Sequence, residues 1–288
     1  MKTITSRDNP LYKELKALAG SSQARRKAGR TLLDGVHLCQ AYLSMRGMPL
    51  QCIVSESALV NPEVADIVMQ CESVHAHCTA QPDALYAPLS QVEHGVGLMF
   101  LIDTPARAVP AALTESAVLL DNLQDPGNVG SILRSAAAAG VKQVFCSAGT
   151  AFCWSPKVLR AAMGAHFVVE IYENVDLAAL IRSAHIDVLA TSGYATERVY
   201  DVDLAALIRA AAVPVLATSG YAKQRLYEVD LRQPVAWLFG HEGQGVADDL
   251  LGLASNQVVI PHLGQIESLN VAACAAVCFF EQLRQKQM

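Results

Sequence analysis

Residues 119–140 read LLDNLQDPGNVGSILRSAAAAG, a predicted strand, turn and helix in immediate succession. The apolar run AVLLD at its start shows no alternation of polar and apolar residues, which is typical of a parallel strand covered on both faces. Pro126 and Gly127 predict a turn, Asn128 is predicted to cap the following helix, and Gly140 is predicted to end it. This unit indicates an α/β fold with a parallel sheet.

Strands and helices alternate on both sides of this unit and predict two domains. Residues 1–103 are expected to form a small N-terminal α/β domain, beginning with a basic helical segment over residues 1–28 that Ser6 or Asp8 caps. Residues 104–112 contain two prolines and no regular period, so they are the predicted linker. Residues 113–288 form the predicted C-terminal domain, whose last helix is expected to begin at Ser268.

The C-terminal domain contains a tandem repeat of 27 residues, 175–201 and 202–228, with 19 identical positions. Two copies are too few for a solenoid, so the pattern indicates a duplication inside an α/β domain. The second copy leads directly into the strand VAWLFG. We therefore expect it to take the regular place in the sheet, with the first copy as an additional helix and strand on the surface or at the sheet edge. Because the two copies are so similar, the reverse assignment is the alternative.

Composition restricts the class of protein. The chain has 288 residues, of which 52% are hydrophobic and 17% charged, a poor match to disordered or coiled-coil proteins. Its longest apolar run, Val271–Phe280, is too short to cross a bilayer, and the first residues lack the apolar core of a signal peptide. We therefore expect a cytoplasmic protein without a membrane partner.

Cysteine usage predicts neither disulfides nor a metal site. The eight cysteines have no regular spacing, so reduced thiols are expected. Cys71, His75, His77 and Cys78 lie close together in the sequence, but their spacing matches no standard zinc motif.

Charge is distributed unevenly along the chain. The net charge of −5 argues against a surface that attracts nucleic acid throughout. The first 30 residues, however, carry eight basic and two acidic side chains, hence +6, which leaves −11 for the rest. We expect this segment to meet an anionic partner first, and a solvated basic helix without a partner is the alternative.

Two further segments place small and polar residues directly after a predicted strand. Residues 237–246, WLFGHEGQGV, set three glycines around Glu242, but their order differs from the dinucleotide fingerprint, which disfavours a nicotinamide cofactor. Residues 258–277, VVIPHLGQIESLNVAACAAV, bring Ser268 and Asn270 to the predicted start of the last helix. The loops that follow parallel strands form the ligand crevice. Taken singly, each segment is also explained by a helix cap or an exposed acid.

Taken together, the three segments resemble the signature motifs of the SpoU/TrmH family, within the SPOUT superfamily of S-adenosylmethionine-dependent RNA methyltransferases. The resemblance continues in the N-terminal part through ITSRDNPLYKELKAL, ARRKAGRTLLDGVHL and LSQVEHGVGLMF, and it covers nearly the whole chain except one copy of the repeat. It implies a 2′-O-ribose methyltransferase with a small N-terminal RNA-binding domain. It also implies that the C-terminal domain carries a deep trefoil knot, formed by the second and third motif loops and the last helix, and makes a homodimer.

The resemblance also assigns residues to the site. The positions that match the family's catalytic residues are Asn128, Arg134, Glu242, Ser268 and Asn270. S-adenosylmethionine is expected against the main chain around Phe239, Gly240, Ile260, His262 and Leu269. Together with the basic segment, the resemblance predicts RNA contacts from Arg7, Lys13, Arg25, Arg26 and Arg134.

The expected roles follow from the chemistry of ribose methylation. A guanidinium group is not deprotonated in proteins, so we expect Arg134 to hold the adjacent phosphate rather than to act as a base. Glu242 is expected to orient Arg134 or Asn128, while Ser268 and Asn270 position the ribose and the loop. His241 and His262 stand where other residues are usual in the family and are expected to be neutral contact residues.

Ribosomal RNA is the preferred substrate, because the chain has an N-terminal α/β domain rather than short flanking helices. Two alternatives stay open at this stage: a transfer RNA 2′-O-methyltransferase, and a non-catalytic RNA-binding or ribosome assembly factor with the same fold. A base methyltransferase of the superfamily is disfavoured by the form of the first motif, NVGSILR.

Overall fold

The computed structural model describes residues 1–92, 95–111, 113–183, 189–190, 216–218, 222–261, 263–264 and 268–288. Contacts divide the chain into two compact units. The first unit comprises Met1–Ala106 and Trp154–Phe167, and the second comprises Arg107–Cys153 and Val168–Met288. The limits of the two predicted domains stay a prediction.

Helices and strands alternate through the described residues. The α-helices are α1 (Pro10–Gly20), α2 (Ser22–Ala28), α3 (Val36–Arg46), α4 (Pro62–Ser73), α5 (Asp83–Tyr86), α6 (Pro126–Ala138), α7 (Pro156–Ala162), α8 (Leu177–Ser183), α9 (Asp248–Leu251) and α10 (Val271–Lys286). The strands are β1 (Lys2–Thr3), β2 (Arg30–Asp34), β3 (Gln51–Ser55), β4 (Cys78–Gln81), β5 (Leu98–Asp103), β6 (Ala117–Leu120), β7 (Gln143–Cys146), β8 (Glu170–Tyr172), β9 (Leu189–Ala190), β10 (Leu216–Thr218), β11 (Gln224–Arg225), β12 (Ala236–Phe239) and β13 (Asn256–Val259). None of these helices combines the length and the apolar character that crossing a bilayer requires.

The first unit is built on a five-stranded sheet in the order β1-β4-β3-β5-β2. Strand β5 runs antiparallel to β2 and β3, and the other neighbours are parallel. Leu15 and Leu18 lie on one side of α1 and pack into a core with Ile53 and Met99 of the sheet. The helical spacing of these leucines therefore fixes which side of α1 covers the sheet.

The basic N-terminal segment forms two helices rather than one. Helix α1 begins after Asn9, whose side chain accepts a hydrogen bond from the N–H of Leu11 at 2.9 Å. Pro10 takes the first helical position, where no N–H is needed. The predicted caps Ser6 and Asp8 are therefore wrong, and Ser21 caps the second helix, α2.

The second unit is built on a five-stranded parallel sheet in the order β8-β7-β6-β12-β9. Strands β6 and β12 are buried along their whole length, as expected for parallel strands with both faces covered. A smaller parallel sheet has the order β10-β13-β11. The predicted α/β fold with a parallel sheet is thus confirmed. The third motif loop, which the resemblance places in the knot, includes residues 262 and 265–267, outside the described residues.

The two copies of the repeat contribute strands to different sheets. The first copy supplies β9, which pairs with β12 at the edge of the five-stranded sheet. The second copy supplies β10, which pairs with β13 in the smaller sheet. The first copy thus lies at the sheet edge, one of the two places predicted for it, and the copy that takes the regular place in the sheet stays a prediction. The sequence also predicts Asp176 and Asp203 as the helix caps of the two copies. Asp176 accepts from the N–H of Ala179 at 2.9 Å, as expected for a cap, whereas Asp203 lies outside the described residues.

Two element boundaries also differ from the prediction. The sequence SVHAHCT, residues 73–79, predicts a strand. Helix α4 instead continues to Ser73, and β4 begins only at Cys78, so residues 73–77 are not part of a strand. His75 instead adopts a left-handed backbone conformation with φ +60°. The last helix begins at Val271 and not at Ser268, because Asn270 caps it.

Candidate active site

Two of the three motif loops leave neighbouring strands at one edge of the parallel sheet. Strands β6 and β12 are parallel neighbours, and Leu120 pairs with Phe239 at their ends. Because the carboxyl ends of parallel strands meet at one edge, the loops before α6 and after β12 come together. The third loop leads into α10, which packs against α6.

Asp125, and not Asn128, caps helix α6. Its carboxylate accepts from the N–H of Asn128 at 2.8 Å, and Pro126 takes the first helical position. The predicted role of Asn128 as the cap is therefore wrong. Because Asp125 does the capping, the side chain of Asn128 in the first turn is left for other contacts.

A chain of hydrogen bonds joins Glu242, Asn128 and Asn270, one residue from each motif. The amide nitrogen of Asn128 donates to Glu242 Oε1 at 3.1 Å, and the amide nitrogen of Asn270 donates to Asn128 Oδ1 at 2.9 Å. Asn270 Oδ1 in turn accepts from the N–H groups of Ala272 at 2.9 Å and Ala273 at 3.3 Å, at the start of α10. The structure thus brings together three of the five predicted catalytic residues.

The carboxylate of Glu242 determines which atoms donate and which accept in this series of hydrogen bonds. An ionised carboxylate only accepts hydrogen bonds, so Asn128 must present its nitrogen to Glu242 and its oxygen to Asn270. Each of the two amide nitrogens has a second N–H that bonds to no other described residue. The arrangement therefore leaves two oriented N–H donors at the sheet edge.

Glu242 is held as a carboxylate. Partial burial alone would raise its pKa, but hydrogen bonds from the Asn128 side chain and from backbone N–H groups outweigh that effect, so the pKa lies below its usual value. Two of those donors are the N–H groups of Gln124 at 3.3 Å and Asp125 at 3.1 Å. Of the two predicted partners of Glu242, Arg134 and Asn128, the contact is with Asn128, and the orienting role stays a prediction.

Gly240 begins a tight turn that no other residue fits. A Cβ atom at this position would lie 2.2 Å from the backbone carbon of Gly245 and 2.2 Å from the nitrogen of Val246. The turn closes through an antiparallel bridge between His241 and Gly245. Glycine at position 240 is therefore required by the close approach of the two sides of the turn.

Arg134 and Ser268 stand apart from the hydrogen-bonded chain. Both are exposed, and neither has a hydrogen bond or ion pair with another residue in the described part of the structure. Arg134 lies in the second half of α6, and Ser268 lies two residues before the cap of α10. Their predicted contacts with the substrate stay a prediction.

Residues 115–280 match the family model of the SpoU rRNA methylases. An uncharacterised tRNA/rRNA methyltransferase of Synechocystis is 33% identical over 99% of this chain and 94% of its own length. The chain belongs to the SpoU rRNA methylase family. This membership confirms the predicted family and the predicted class of enzyme, an RNA methyltransferase that uses S-adenosylmethionine.

Two other SpoU-type proteins match over nearly their whole length. The 23S rRNA (guanosine(2553)-2′-O)-methyltransferase RlmP of Bacillus subtilis is 28% identical over 97% of this chain and 98% of its own. The SpoU methyltransferase AviRb of Streptomyces viridochromogenes, solved in complex with S-adenosylmethionine, superposes with a TM-score of 0.78 at 22% identity, covering 97% of this chain and 98% of that one. The second comparison shows a shared fold.

The residues predicted to contact the cofactor differ in which of their atoms are accessible. The Phe239 side chain is fully buried and packs edge-on against Phe279 at 5.8 Å, so only its main chain is left to contact a ligand. Ile260 is buried and Leu269 is half-buried. Gly240 lies in the tight turn described above, and His262 lies outside the described residues.

The predicted RNA contacts separate into surface residues and one buried residue. Arg7 and Lys13 are exposed and, with Lys16, border a surface pocket of about 430 Å³ that Tyr12, Ala17 and Pro88 complete. Lys13 also pairs with Asp8 at 2.9 Å. Arg26 is exposed on α2.

Arg25 is the buried one. It is only 5% exposed, and its guanidinium donates to the carbonyls of Leu18 and Ala19 at the end of α1 and to the Ser22 hydroxyl. The prediction that Arg25 contacts RNA is wrong in this conformation. Arg25 instead satisfies the last carbonyl groups of α1, which have no partner within the helix.

The cysteine and histidine cluster of the first unit is not arranged as a metal site. Within the described ranges, no group of three or more His, Cys, Asp or Glu side chains has the arrangement to hold an ion. Cys71 is fully buried, whereas His75 lies in the exposed turn after α4.

Two acids of the site were not singled out from the sequence. Asp125 caps α6 as described, and a carboxylate before Pro-Gly at a helix start is a signal that identifies such a cap. Asp121 is 9% exposed and accepts from the N–H of Ala247 at 3.2 Å, which ties the end of the Gly240 turn to the loop after β6. No sequence signal identifies that second role, because the two segments are far apart in the chain.

Proposed function

We propose that this chain transfers a methyl group from S-adenosylmethionine to the 2′-hydroxyl of a ribose in ribosomal RNA. The observation that carries the proposal is the hydrogen-bonded chain of Glu242, Asn128 and Asn270, which joins all three family motifs in one place. The name of the Bacillus subtilis relative, a 23S rRNA 2′-O-methyltransferase, supports both the atom and the RNA. The cytoplasmic location stays a prediction.

The described residues fit S-adenosylmethionine. Leu263 is a completely exposed leucine next to Gly264, where a Cβ atom would meet open space. An apolar side chain on an accessible main chain suits an adenine ring, which combines apolar faces with polar edges. When bound, the cofactor supplies an electrophilic sulfonium methyl group. Gly240, Ile260 and Leu269 would hold it mainly through main-chain contacts.

In this proposal, the two remaining amide N–H groups of Asn128 and Asn270 orient the ribose. Both amides are fixed by their other hydrogen bonds, so these donors need no reorganisation when a substrate oxygen arrives. A fixed hydroxyl attacks in line more readily than a mobile one. The two amides therefore position the 2′-hydroxyl and stabilise charge as its proton is lost.

Arg134 is the candidate for the adjacent phosphate. It is exposed on the same helix as Asn128, six residues further along, with no ion pair among the described residues. A guanidinium group binds a phosphate with two parallel hydrogen bonds, which lysine does not reproduce. We expect Arg134→Lys to lower kcat/KM by roughly 10-fold or more, measured as methyl transfer to RNA. A wild-type rate would contradict this role.

The first unit is proposed to bind the RNA substrate through phosphate contacts. Arg7, Lys13 and Lys16 surround the pocket on α1 and supply the positive charge that phosphates require. Of these three residues, only Lys13 forms an ion pair in the described structure. The acidic residues of the segment therefore neutralise little of the positive charge at this pocket. This surface is one part of the basic segment that is available for RNA, and the exposed Arg26 on α2 is another.

A homodimer through the C-terminal unit is also proposed. Helix α10 exposes 46% of Phe280 and leaves Val277, one turn before it, half-buried, so an apolar surface is available for a second copy. We expect light scattering to give the mass of a dimer and Phe280→Glu to shift it towards the monomer. A monomeric wild-type protein would contradict this part of the proposal.

In the direct test, the purified protein is incubated with labelled S-adenosylmethionine and with transcripts of ribosomal and transfer RNA. We expect label in ribosomal RNA at a phosphodiester that resists alkali, because a 2′-O-methyl group removes the hydroxyl that alkaline cleavage needs. Label that leaves the RNA alkali-sensitive would mean base methylation, and label in transfer RNA alone would mean a different substrate. Absence of cofactor binding by calorimetry would favour a non-catalytic factor.

A further inference from the structure

The turn after β12 is closed at its base and again at its tip. At the base, the N–H of His241 donates to the carbonyl of Gly245 at 2.8 Å, and the N–H of Gly245 donates back at 2.8 Å. This leaves a loop of three residues, a length at which a left-handed residue is common at the closing position. Gly245 has that conformation, with φ +75°.

The tip is held by one side chain, that of His241. Its Nδ1 atom accepts from the N–H of Gly243 at 3.0 Å and from the N–H of Gln244 at 3.2 Å. A ring nitrogen that accepts two hydrogen bonds carries no proton, so the neutral ring has its proton on Nε2. The imidazole therefore bonds to two backbone donors that would otherwise face solvent in so short a loop.

Glu242 lies between the hydrogen bonds at the base of the turn and those at its tip. Its carboxylate reaches the N–H groups of Gln124 and Asp125 and the amide of Asn128 from within the loop. The backbone on both sides of Glu242 is fixed, at His241 by the bridge and at Gly243 by Nδ1. Rotation of the tip would withdraw the carboxylate from Asn128 and release the amide that Asn270 also holds.

We infer that His241 is a positioning residue of the active site. Its unprotonated Nδ1 fixes the tip of the turn so that Glu242 orients Asn128, and it acts without touching the reacting atoms. The inference rests on the proposed function only for its effect on the rate. Its structural part, the protection of two backbone N–H groups, is independent of any substrate.

A matched pair of variants tests this role. Asparagine places an acceptor oxygen where Nδ1 lies, whereas leucine has a similar volume and no acceptor. We expect His241→Leu to speed amide hydrogen exchange at Gly243 and Gln244 and to lower kcat by roughly 10- to 30-fold, the effect of about two lost hydrogen bonds. His241→Asn should restore slow exchange and most of kcat.

Two further measurements separate positioning from general damage. Because the bridge to Gly245 is made by backbone atoms, we expect the affinity for S-adenosylmethionine, measured by calorimetry, to change by less than about 3-fold in His241→Leu. If His241 acts through Glu242, the variant His241→Leu/Glu242→Gln should be no slower than Glu242→Gln alone. Nitrogen chemical shifts of the ring should report an unprotonated Nδ1.

Several outcomes would overturn the inference. These are unchanged exchange in His241→Leu, failure of His241→Asn to restore exchange, or additive effects of the two single substitutions on kcat. A wild-type protein that methylates no RNA would instead contradict the proposed function, and the exchange and nitrogen measurements would still decide the role of His241.

Discussion

Asn128 is held from two sides, because its amide nitrogen donates to Glu242 and its amide oxygen accepts from Asn270. Asn128→Asp replaces the donor with an oxygen and sets two carboxylates against each other at the 3.1 Å contact. We expect kcat to fall roughly 100-fold or more, as when an oriented donor is removed from an active site. Single-turnover methyl transfer measures this, and the melting temperature checks that the fold is intact.

A double substitution that exchanges the donor and the acceptor of the contact between Asn128 and Glu242 provides a control. In Asn128→Asp/Glu242→Gln, the new glutamine nitrogen can donate to the new aspartate, while Asn270 still donates to its other side. We expect this double variant to be faster than Asn128→Asp alone. Equal rates for the two would show that the hydrogen bond to Glu242 is not what matters at Asn128.

Asp34 gives a prediction about pH. Burial raises its pKa, although the Ser90 hydroxyl and the N–H of Gln91 donate to one oxygen at 2.7 Å and 2.9 Å. A carboxyl group whose folded pKa is raised stabilises the fold below its unfolded pKa, about 3.9, and this stabilisation is lost as pH rises through the folded value. We therefore expect wild type to lose stability relative to Asp34→Asn as pH rises above about 4, measured by urea unfolding.

Asp83 is the control of opposite sign. Hydrogen bonds from the Ser57 hydroxyl and N–H lower its pKa, so its contribution is present above the unfolded pKa and is lost as pH falls. Wild type should gain stability relative to Asp83→Asn as pH rises from about 2 to about 5. The same pH trend in both pairs would contradict the assignment of opposite shifts.

At the scale of helices and strands, α1 and α2 show how one arginine can be misread from charge alone. Arg25 bonds to the carbonyls at the end of α1, whereas Arg7 is exposed at the pocket. We expect Arg25→Met to lower the free energy of unfolding by about 1–3 kcal/mol without changing RNA affinity. Arg7→Ala should weaken RNA binding and reduce its salt dependence by about one ion.

Salt-dependent RNA binding and urea unfolding of both variants check this pair. A loss of RNA affinity in a folded Arg25→Met protein would show that Arg25 contacts RNA. An unchanged salt dependence in Arg7→Ala would show that Arg7 does not.

Strand and helix types followed from periodicity more reliably than their ends did. The buried runs at β6 and β12 were predictable because a strand covered on both faces must be apolar throughout. The caps were not: Asn9, Asp125 and Asn270 each compete with another polar residue within three positions, and only the backbone decides which one points into the helix. The resemblance identified Asn128, Glu242 and Asn270, whereas their order of hydrogen bonding required the structure.

At the scale of the whole molecule, the tandem repeat raises the question of which copy the fold needs. The copies are identical at 19 of 27 positions and join without a gap, so removing residues 175–201 brings the second copy to the position of the first. Its own strand segment can then pair with β12 in place of β9, because the main-chain pairing of a parallel strand does not depend on those differences. We expect the shortened protein to fold and to keep kcat within about 3-fold of wild type, since all three motif loops lie outside the repeat.

Residues 202–228 offer the reciprocal deletion, which keeps the first copy beside β12 but removes β10 from its place next to β13. Strand β13 leads into the third motif loop, and both deletions leave it without β10, because the first deletion moves the second copy beside β12. Both shortened proteins should be measured by circular dichroism and methyl transfer. If the fold tolerates either copy, both remain active, and the duplication is an addition to a complete methyltransferase. If removal of 175–201 leaves an insoluble chain, the first copy has become part of the sheet that supports the site.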